Sequence, residues 1–333
     1  MAKVAVMGAG SWGTTFAKIL ADAGNDVTIW ARRDDVVTEI NSLHRNGDYL
    51  PGIKLPKDLK AAFEPADAMA GVEHVYLAIP SQSLRGNLVE WGSSIPESAL
   101  VVSLMKGVEK NTGLRMSEVI SEVAGVDASR IVVVSGPNLS LEIAEEQPTA
   151  SVAASKSKSA ARAVATAASN SYFTTFTNKD VIGTEFGGIL KNLIAVAIGI
   201  VNGVGYGENT KASIMTRGLA EISRFARAYG AKKKTMVGLA GLGDLIATSE
   251  SPLSRNHKAG EMLGKGYTLN EVTKRLSQTA EGLASVAPIL KLAETKGVRM
   301  PIVEQVLAVM EGRMEPKDIA PTLTHETDEP TSE

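Results

Sequence analysis

The chain contains no cysteine. Disulfides, thiolate nucleophiles and thiolate metal sites are therefore excluded. Histidine is scarce as well, with only His44, His74, His257 and His325 in 333 residues. None of them forms an H-x-x-x-H or H-E-x-x-H pair, so no metal site is expected. Aromatic residues make up 5% of the chain and the net charge is -2. That balance gives no general pull toward nucleic acid or an acidic membrane surface. Long apolar runs are missing too. The most apolar stretch, 193–201, is too short to span a bilayer and follows Lys191 and Asn192. A strand-like run begins at residue 3 and leaves no room for a signal peptide, so a cytoplasmic protein is expected. What remains is an ordinary globular composition, 44% apolar and 22% charged, with length for two domains.

The most informative segment comes first. Val4, Ala5, Val6 and Met7 form an apolar run, and Gly8, Gly10 and Gly13 follow with the spacing G-x-G-x-x-G. An amphipathic stretch from residue 14 to 23 then stops at Gly24. Strand, glycine loop and helix occur in the order a dinucleotide phosphate loop requires. Gly8 permits the tight turn, Gly10 lets backbone approach a pyrophosphate, and Gly13 lets helix pack on strand. The helix N-terminus offers free N–H groups to the phosphate charge. A second apolar run, 27–30, ends in Ala31-Arg32-Arg33 and not in the carboxylate usual for NAD. Two guanidiniums suit the 2′-phosphate of NADP, with NAD still usable; the plainer alternative is that both are solvated. Asp34 and Asp35 read as the cap and first turn of the next helix.

Short apolar runs alternate with helical patterns through the first half. Strands are expected at 4–7, 27–30, 75–79, 100–104, 131–134, 151–154 and 173–177. Helices are expected between most of them, including 82–91, 113–124 and 158–170. This is the pattern of an α/β protein with a doubly wound parallel sheet. Ligands on such sheets bind beyond the carboxyl ends of the strands. Pro80-Ser81, Met105-Lys106-Gly107 and Ser135-Gly136-Pro137-Asn138 stand there. From residue 180 the two-residue period disappears, and helices are expected at 180–204, 212–229, 270–276, 283–295 and 302–311. The expected organisation is a dinucleotide-binding domain over 1–179, an all-α C-terminal domain over 180–320, and a disordered tail over 321–333.

Two features of the second half suggest chemistry. Lys191 sits inside the most apolar helix, where an unpaired ammonium is costly. Asn202, three turns on, shares its side of the helix, and Thr184 lies near the same stripe. Such a stripe can face a cleft; alternatively Lys191 snorkels to the surface. The second feature is Gly238-Leu-Ala-Gly241-Leu-Gly243-Asp244, followed by Ser254-Arg255-Asn256. The glycines read as a loop that fixes Asp244. Ser254, Arg255 and Asn256 offer a hydroxyl, a fork and an amide at a helix start, which suits either a phosphate grip or an ordinary cap.

Together these residues resemble a known family. Gly8-Ala-Gly-Ser-Trp-Gly13, Met105-Lys106-Gly107, Gly136-Pro137, Glu185 with Lys191-Asn192, Gly241-Leu-Gly243-Asp244-Leu, Ser254-Arg255-Asn256 and Glu281-Gly282 occur in the order and spacing of bacterial NAD(P)-dependent glycerol-3-phosphate dehydrogenases. The likeness runs from residue 1 to about 312. It implies a Rossmann domain plus a helical domain, and interconversion of dihydroxyacetone phosphate and sn-glycerol 3-phosphate for phospholipid synthesis. It also implies that Ser11, Trp12, Arg32, Arg33 and Glu281 bind the dinucleotide, and that Lys106 lies where nicotinamide and substrate meet. Lys191 would be the proton donor and acceptor. Asp244, Ser254, Arg255 and Asn256 would hold substrate, Arg255 also touching the cofactor. The segment Gly136-Pro137-Asn138-Leu139-Ser140 departs from the family's Gly-Pro-Ser-Phe-Ala. Asn138 replaces a substrate-binding serine and Ser140 an alanine beside the cofactor.

Hydride transfer builds negative charge on a ketone oxygen, which protonated Lys191 would stabilise and then protonate. In reverse, neutral Lys191 would take the hydroxyl proton. The nearest rival is a ketopantoate- or hydroxyisobutyrate-type reductase with a catalytic lysine. UDP-sugar dehydrogenases are excluded by the missing cysteine. A non-catalytic NADP sensor would not need Lys191, Asp244 and Asn256 together. A homodimer is expected, as is common for such folds.

Overall fold

The computed structural model describes residues 1–276 and 280–320. The expected tail at 321–333 lies outside the described residues. The chain divides into two compact units. The first takes Met1–Glu109 and Leu114–Val181, the second residues 110–113 and the chain from Ile182 onward.

The first unit is built on eight strands: β1 Lys3–Met7, β2 Asp26–Trp30, β3 Lys60–Ala62, β4 His74–Leu77, β5 Leu100–Ser103, β6 Ile131–Ser135, β7 Thr149–Ala154 and β8 Phe173–Asn178. They lie in the order β3-β2-β1-β4-β5-β6-β7-β8. The order reverses beside β1, so the glycine loop leaves the sheet at the switch point, where ligand crevices form. Alternation along β1 explains its uniformly apolar sequence. Val4 and Val6 join a core with Phe16, Ile19 and Leu20 of the helix Ser11–Asp22. Ala5 and Met7 join the opposite core with Leu84, Leu88, Val119 and Ile120. A strand covered on both faces has no polar side to show.

Two expectations for this sheet need correction. β3 was not anticipated, because Lys-Ala-Ala carries no apolar alternation. It forms by pairing with the edge of β2, Thr28 opposite Lys60. The sheet is also not wholly parallel. β7 runs antiparallel to β6, with Val133 opposite Ala154, while every other pair is parallel. Strand direction depends on how the connection closes, and here the turn includes only the short helix Ser140–Ala144.

The second unit is helical. Its axis is the helix Val181–Val204, buried almost throughout. By length and apolarity this helix could cross a membrane, but 83% of its most apolar window is buried inside the protein. It is therefore a core helix. The helix Arg255–Gly264 crosses it backbone to backbone. A Cβ at Gly199 would stand 2.2 Å from the His257 carbonyl, and one at Gly260 would stand 2.1 Å from that of Val196. These glycines let the two helices approach closely and so fix the start of the Arg255–Gly264 helix relative to the axis.

Candidate active site

In the first unit, the loop after β1 has the form its glycines require. Gly8 has φ +122, and a Cβ there would lie 2.6 Å from the Ala78 carbonyl oxygen. A Cβ at Gly13 would lie 1.8 Å from the carbonyl oxygen of Gly8. Gly10 differs, because a Cβ there would meet nothing within 4 Å. Packing does not demand glycine at that position; it leaves an open cradle above the backbone. Gly10 caps the helix Ser11–Asp22 without a side-chain bond, and its first turn holds no acid. The first N–H groups of a helix have no intrahelical acceptor and carry its positive pole. Cradle and helix start together fit a pyrophosphate. The Ser11 hydroxyl donates to the Tyr49 carbonyl at 2.8 Å, and Trp12 packs edge-on against Phe16.

The two arginines beyond β2 are not equivalent. Both are exposed. Arg33 is ion-paired to Asp35 and, at 2.8 Å, to Asp48. It is also the cap residue of the helix Asp34–Leu43, so Asp34 begins that helix and does not cap it. Arg32 has no ion-pair partner among the described residues. Lys106, past the end of β5, donates from Nζ to the Gly136 carbonyl at 3.1 Å. Gly136 follows β6 with φ +152, so two of the predicted strand-end segments meet there. Asn138 donates to the Ser151 hydroxyl at 3.4 Å, while its buried Oδ1 has no partner among the described residues. Ser140 opens the helix Ser140–Ala144, and its carbonyl accepts from the Thr15 hydroxyl at 3.2 Å.

In the second unit, Lys191 is 6% exposed and its ammonium does not snorkel. Nζ lies 2.9 Å from Oδ1 of Asp244, itself 1% exposed. It also donates to the hydroxyl of Thr248, which in turn donates to the same Asp244 oxygen at 3.2 Å. A buried ammonium thus has a charge partner and a hydroxyl, as the cost of burial requires. Thr248 was missed in the sequence. Its signal was the four-residue spacing from Asp244, which puts both on one face of the helix Asp244–Glu250. Thr184, two turns before Lys191, is fully buried with its hydroxyl unpartnered among the described residues.

The glycine-rich segment before Asp244 is not the open loop expected. Leu239–Gly243 forms a wide helical turn, with the Gly243 N–H donating to the Gly238 carbonyl at 3.1 Å, and runs straight into the Asp244–Glu250 helix. The anticipated close approach is real, since a Cβ on Gly187 would lie 2.4 Å from the Ala240 carbonyl. That contact presses the turn against the helix bearing Lys191 and sets Asp244 opposite the ammonium. Ser254 is the cap of the helix Arg255–Gly264, its Oγ accepting from the His257 N–H at 3.2 Å. Asn256 uses its Oδ1 to accept from the Gly282 N–H at 2.9 Å, which ties it to the start of the helix Glu281–Thr295. Its Nδ2 has no acceptor among the described residues. Arg255 is exposed, and Glu281 is half-buried.

Comparison with known proteins places the chain in a family. A family model described as NAD-dependent glycerol-3-phosphate dehydrogenase N-terminus matches residues 3–161, and its C-terminus counterpart matches 180–321. A glycerol-3-phosphate dehydrogenase (NAD(P)+) of Leifsonia xyli subsp. xyli is 62% identical over 328 residues, covering 98% of this chain and 89% of that one. One from Corynebacterium glutamicum is 53% identical over 320 residues, covering 96% of each. The crystal structure of a glycerol-3-phosphate dehydrogenase from Coxiella burnetii superposes with a TM-score of 0.90 at 32% identity, over 97% of this chain and 98% of that one. The likeness spans the sheet with its glycine loop and the helices bearing Lys191 and Asp244 alike. The chain is an oxidoreductase that uses a nicotinamide dinucleotide, and it belongs to the NAD-dependent glycerol-3-phosphate dehydrogenase family.

Proposed function

We propose that this chain reduces dihydroxyacetone phosphate to sn-glycerol 3-phosphate with Lys191 as the group that gives and takes the proton. The observation that carries this assignment is the ammonium of Lys191, buried in an apolar helix and paired with Asp244 and Thr248. The dinucleotide supplies the hydride. As negative charge grows on the substrate carbonyl oxygen, Lys191 stabilises it and delivers its proton there. Asp244 holds the ammonium in place and balances its charge, and Thr248 fixes its direction. In the reverse direction Lys191 accepts the hydroxyl proton. Lys106 and the Asn138 amide orient the substrate, with Gly136 providing the close backbone. Arg255, Ser254 and the Nδ2 of Asn256 grip its phosphate or hydroxyls.

For the cofactor, Gly8, Gly10, Ser11, Trp12 and Gly13 hold the pyrophosphate, and Ser140, Arg255 and Glu281 complete its contacts. We assign the 2′-phosphate of NADP to Arg32, whose guanidinium has no ion-pair partner among the described residues, more than to Arg33, which two carboxylates already occupy. NADP(H) is then preferred and NAD(H) usable. We also read the protein as a cytoplasmic homodimer. The test is to add dihydroxyacetone phosphate with NADPH, then NADH, and follow nicotinamide absorbance. Rapid oxidation supports the reaction, and the ratio of the two rates measures the preference. Tight dinucleotide binding without oxidation would refute the substrate assignment.

A further inference from the structure

Residues 45–50, which follow the helix Asp34–Leu43 in the chain before β3, lie against the glycine loop. Their attachments go to two places. On one side, Glu39 accepts from the Gly47 N–H at 3.1 Å and from Arg45 at 2.8 Å, and Asp48 pairs with Arg33. On the other, the Tyr49 carbonyl accepts from the Ser11 hydroxyl, and Asn46 reaches the loop itself. Asn46 is fully buried. Its Nδ2 donates to the Ala9 carbonyl at 2.9 Å and to the Thr14 hydroxyl at 2.8 Å. A carbonyl oxygen can only accept, so Ala9 fixes which way the amide points. The segment folds back on itself to present the amide, with the Leu50 N–H donating to the Asn46 carbonyl at 2.8 Å and Leu50 buried beneath.

We propose that Asn46 is a positioning residue for the dinucleotide, acting through the glycine loop. Ala9 lies between Gly8 and Gly10, and a peptide unit is planar. Holding its carbonyl toward Asn46 turns the N–H of Gly10, on the same peptide, the opposite way. The bond to Thr14 anchors the same amide to the first turn of the helix whose N-terminus faces the cradle. One side chain thus locks loop and helix start together, so the N–H groups are arranged before a pyrophosphate arrives. Preorganisation of this kind lowers the ordering cost of binding. The proposal rests on reading the glycine loop as the dinucleotide site.

The test is Asn46→Leu, which keeps the branched shape and removes both donors without adding charge, with the smaller Asn46→Ser as the variant to use if the first does not fold. Dissociation constants for NADPH, NADH and ADP-ribose are measured by calorimetry, beside KM for dihydroxyacetone phosphate at saturating cofactor. All three ligands carry the same pyrophosphate, so all three should weaken by the same factor. About tenfold is expected for the loss of two hydrogen bonds that orient the loop. KM for dihydroxyacetone phosphate should stay within twofold. Unchanged dissociation constants, or a lower melting temperature without weaker binding, would overturn the proposal. Wild-type protein that binds none of the three would instead overturn the reading of the loop itself.

Discussion

Removing either member of the Lys191–Asp244 pair should separate stability from catalysis. At 2.9 Å and an effective dielectric constant of about 20, the attraction is about 6 kcal/mol, most of it offsetting lost hydration. Breaking such a pair by deleting one partner leaves an uncompensated buried charge and costs roughly 3–5 kcal/mol. Lys191→Met strands the Asp244 carboxylate, and Asp244→Asn strands the ammonium. Each single variant should lose on the order of 10 °C in melting temperature, at roughly 2–4 °C per kcal/mol for a unit of this size. The double variant removes both charges and should recover much of that loss, because the coupled term cancels. Turnover should behave differently. Without Lys191 no group delivers the proton, and kcat should fall by about 10²–10⁴. The double variant should be as inactive as Lys191→Met although more stable than it. Dinucleotide affinity should be nearly unchanged in all three. The measurements are thermal melts, nicotinamide absorbance and calorimetric cofactor titration. A double variant no more stable than the singles would refute the pairing energy. A Lys191→Met protein within tenfold of wild-type kcat would refute the proton-transfer role.

The sequence made some parts of this arrangement readable and hid others for physical reasons. The glycine loop was legible because three glycines recur at fixed spacing directly after an apolar run, and the contacts of Gly8 and Gly13 show why those two cannot carry a side chain. Lys191 stood out because charge is expensive in an apolar helix, and the partner that balances it, Asp244, lies in the segment read as fixing a carboxylate. Thr248 was not seen, since a threonine four residues past an aspartate is common on any helix. β3 escaped because its three residues owe their conformation to the edge of β2 rather than to their own pattern. Leu239–Gly243 was misread as a loop because glycine disfavours helix locally, whereas here a Cβ on Gly241 would lie 2.0 Å from the Met236 carbonyl, so the turn needs glycine at that position. The pairing of Arg33 with Asp48 joins residues fifteen positions apart through a chain reversal, which no periodicity encodes.

Three further outcomes follow from the geometry. Arg32→Ala should weaken NADPH by about tenfold, the typical size of one lost charge-assisted contact, and leave NADH nearly unchanged. Arg33→Ala should discriminate less, since Asp35 and Asp48 already engage that guanidinium, and equal losses for both cofactors in calorimetry would remove Arg32 from the 2′-phosphate. Glu221 is buried, and its carboxyl accepts from the N–H groups of Ile302 and Val303 at 2.9 and 3.1 Å. Burial pushes it up to about 7 even against those bonds. The native state therefore holds this proton more tightly than the unfolded chain, whose value is about 4.3. Its contribution is fully present below that value and lost as pH rises toward 7, on the order of 2–3 kcal/mol between pH 5 and 8. Urea midpoints of wild type and Glu221→Gln at both pH values should diverge accordingly; a constant difference would show that the group does not titrate there. Gly10→Ala tests the cradle most directly. Its φ of -74 suits alanine, and the added Cβ meets no atom within 4 Å, so the melting temperature should not fall. The methyl group would nevertheless stand where the pyrophosphate must approach backbone, and cofactor affinity should drop by at least tenfold, ~1.4 kcal/mol. Gly13→Ala, with its Cβ 1.8 Å from the Gly8 carbonyl, should lose stability and binding together. If Gly10→Ala bound NADPH like the wild type, the open space above Gly10 would not be where the phosphates lie.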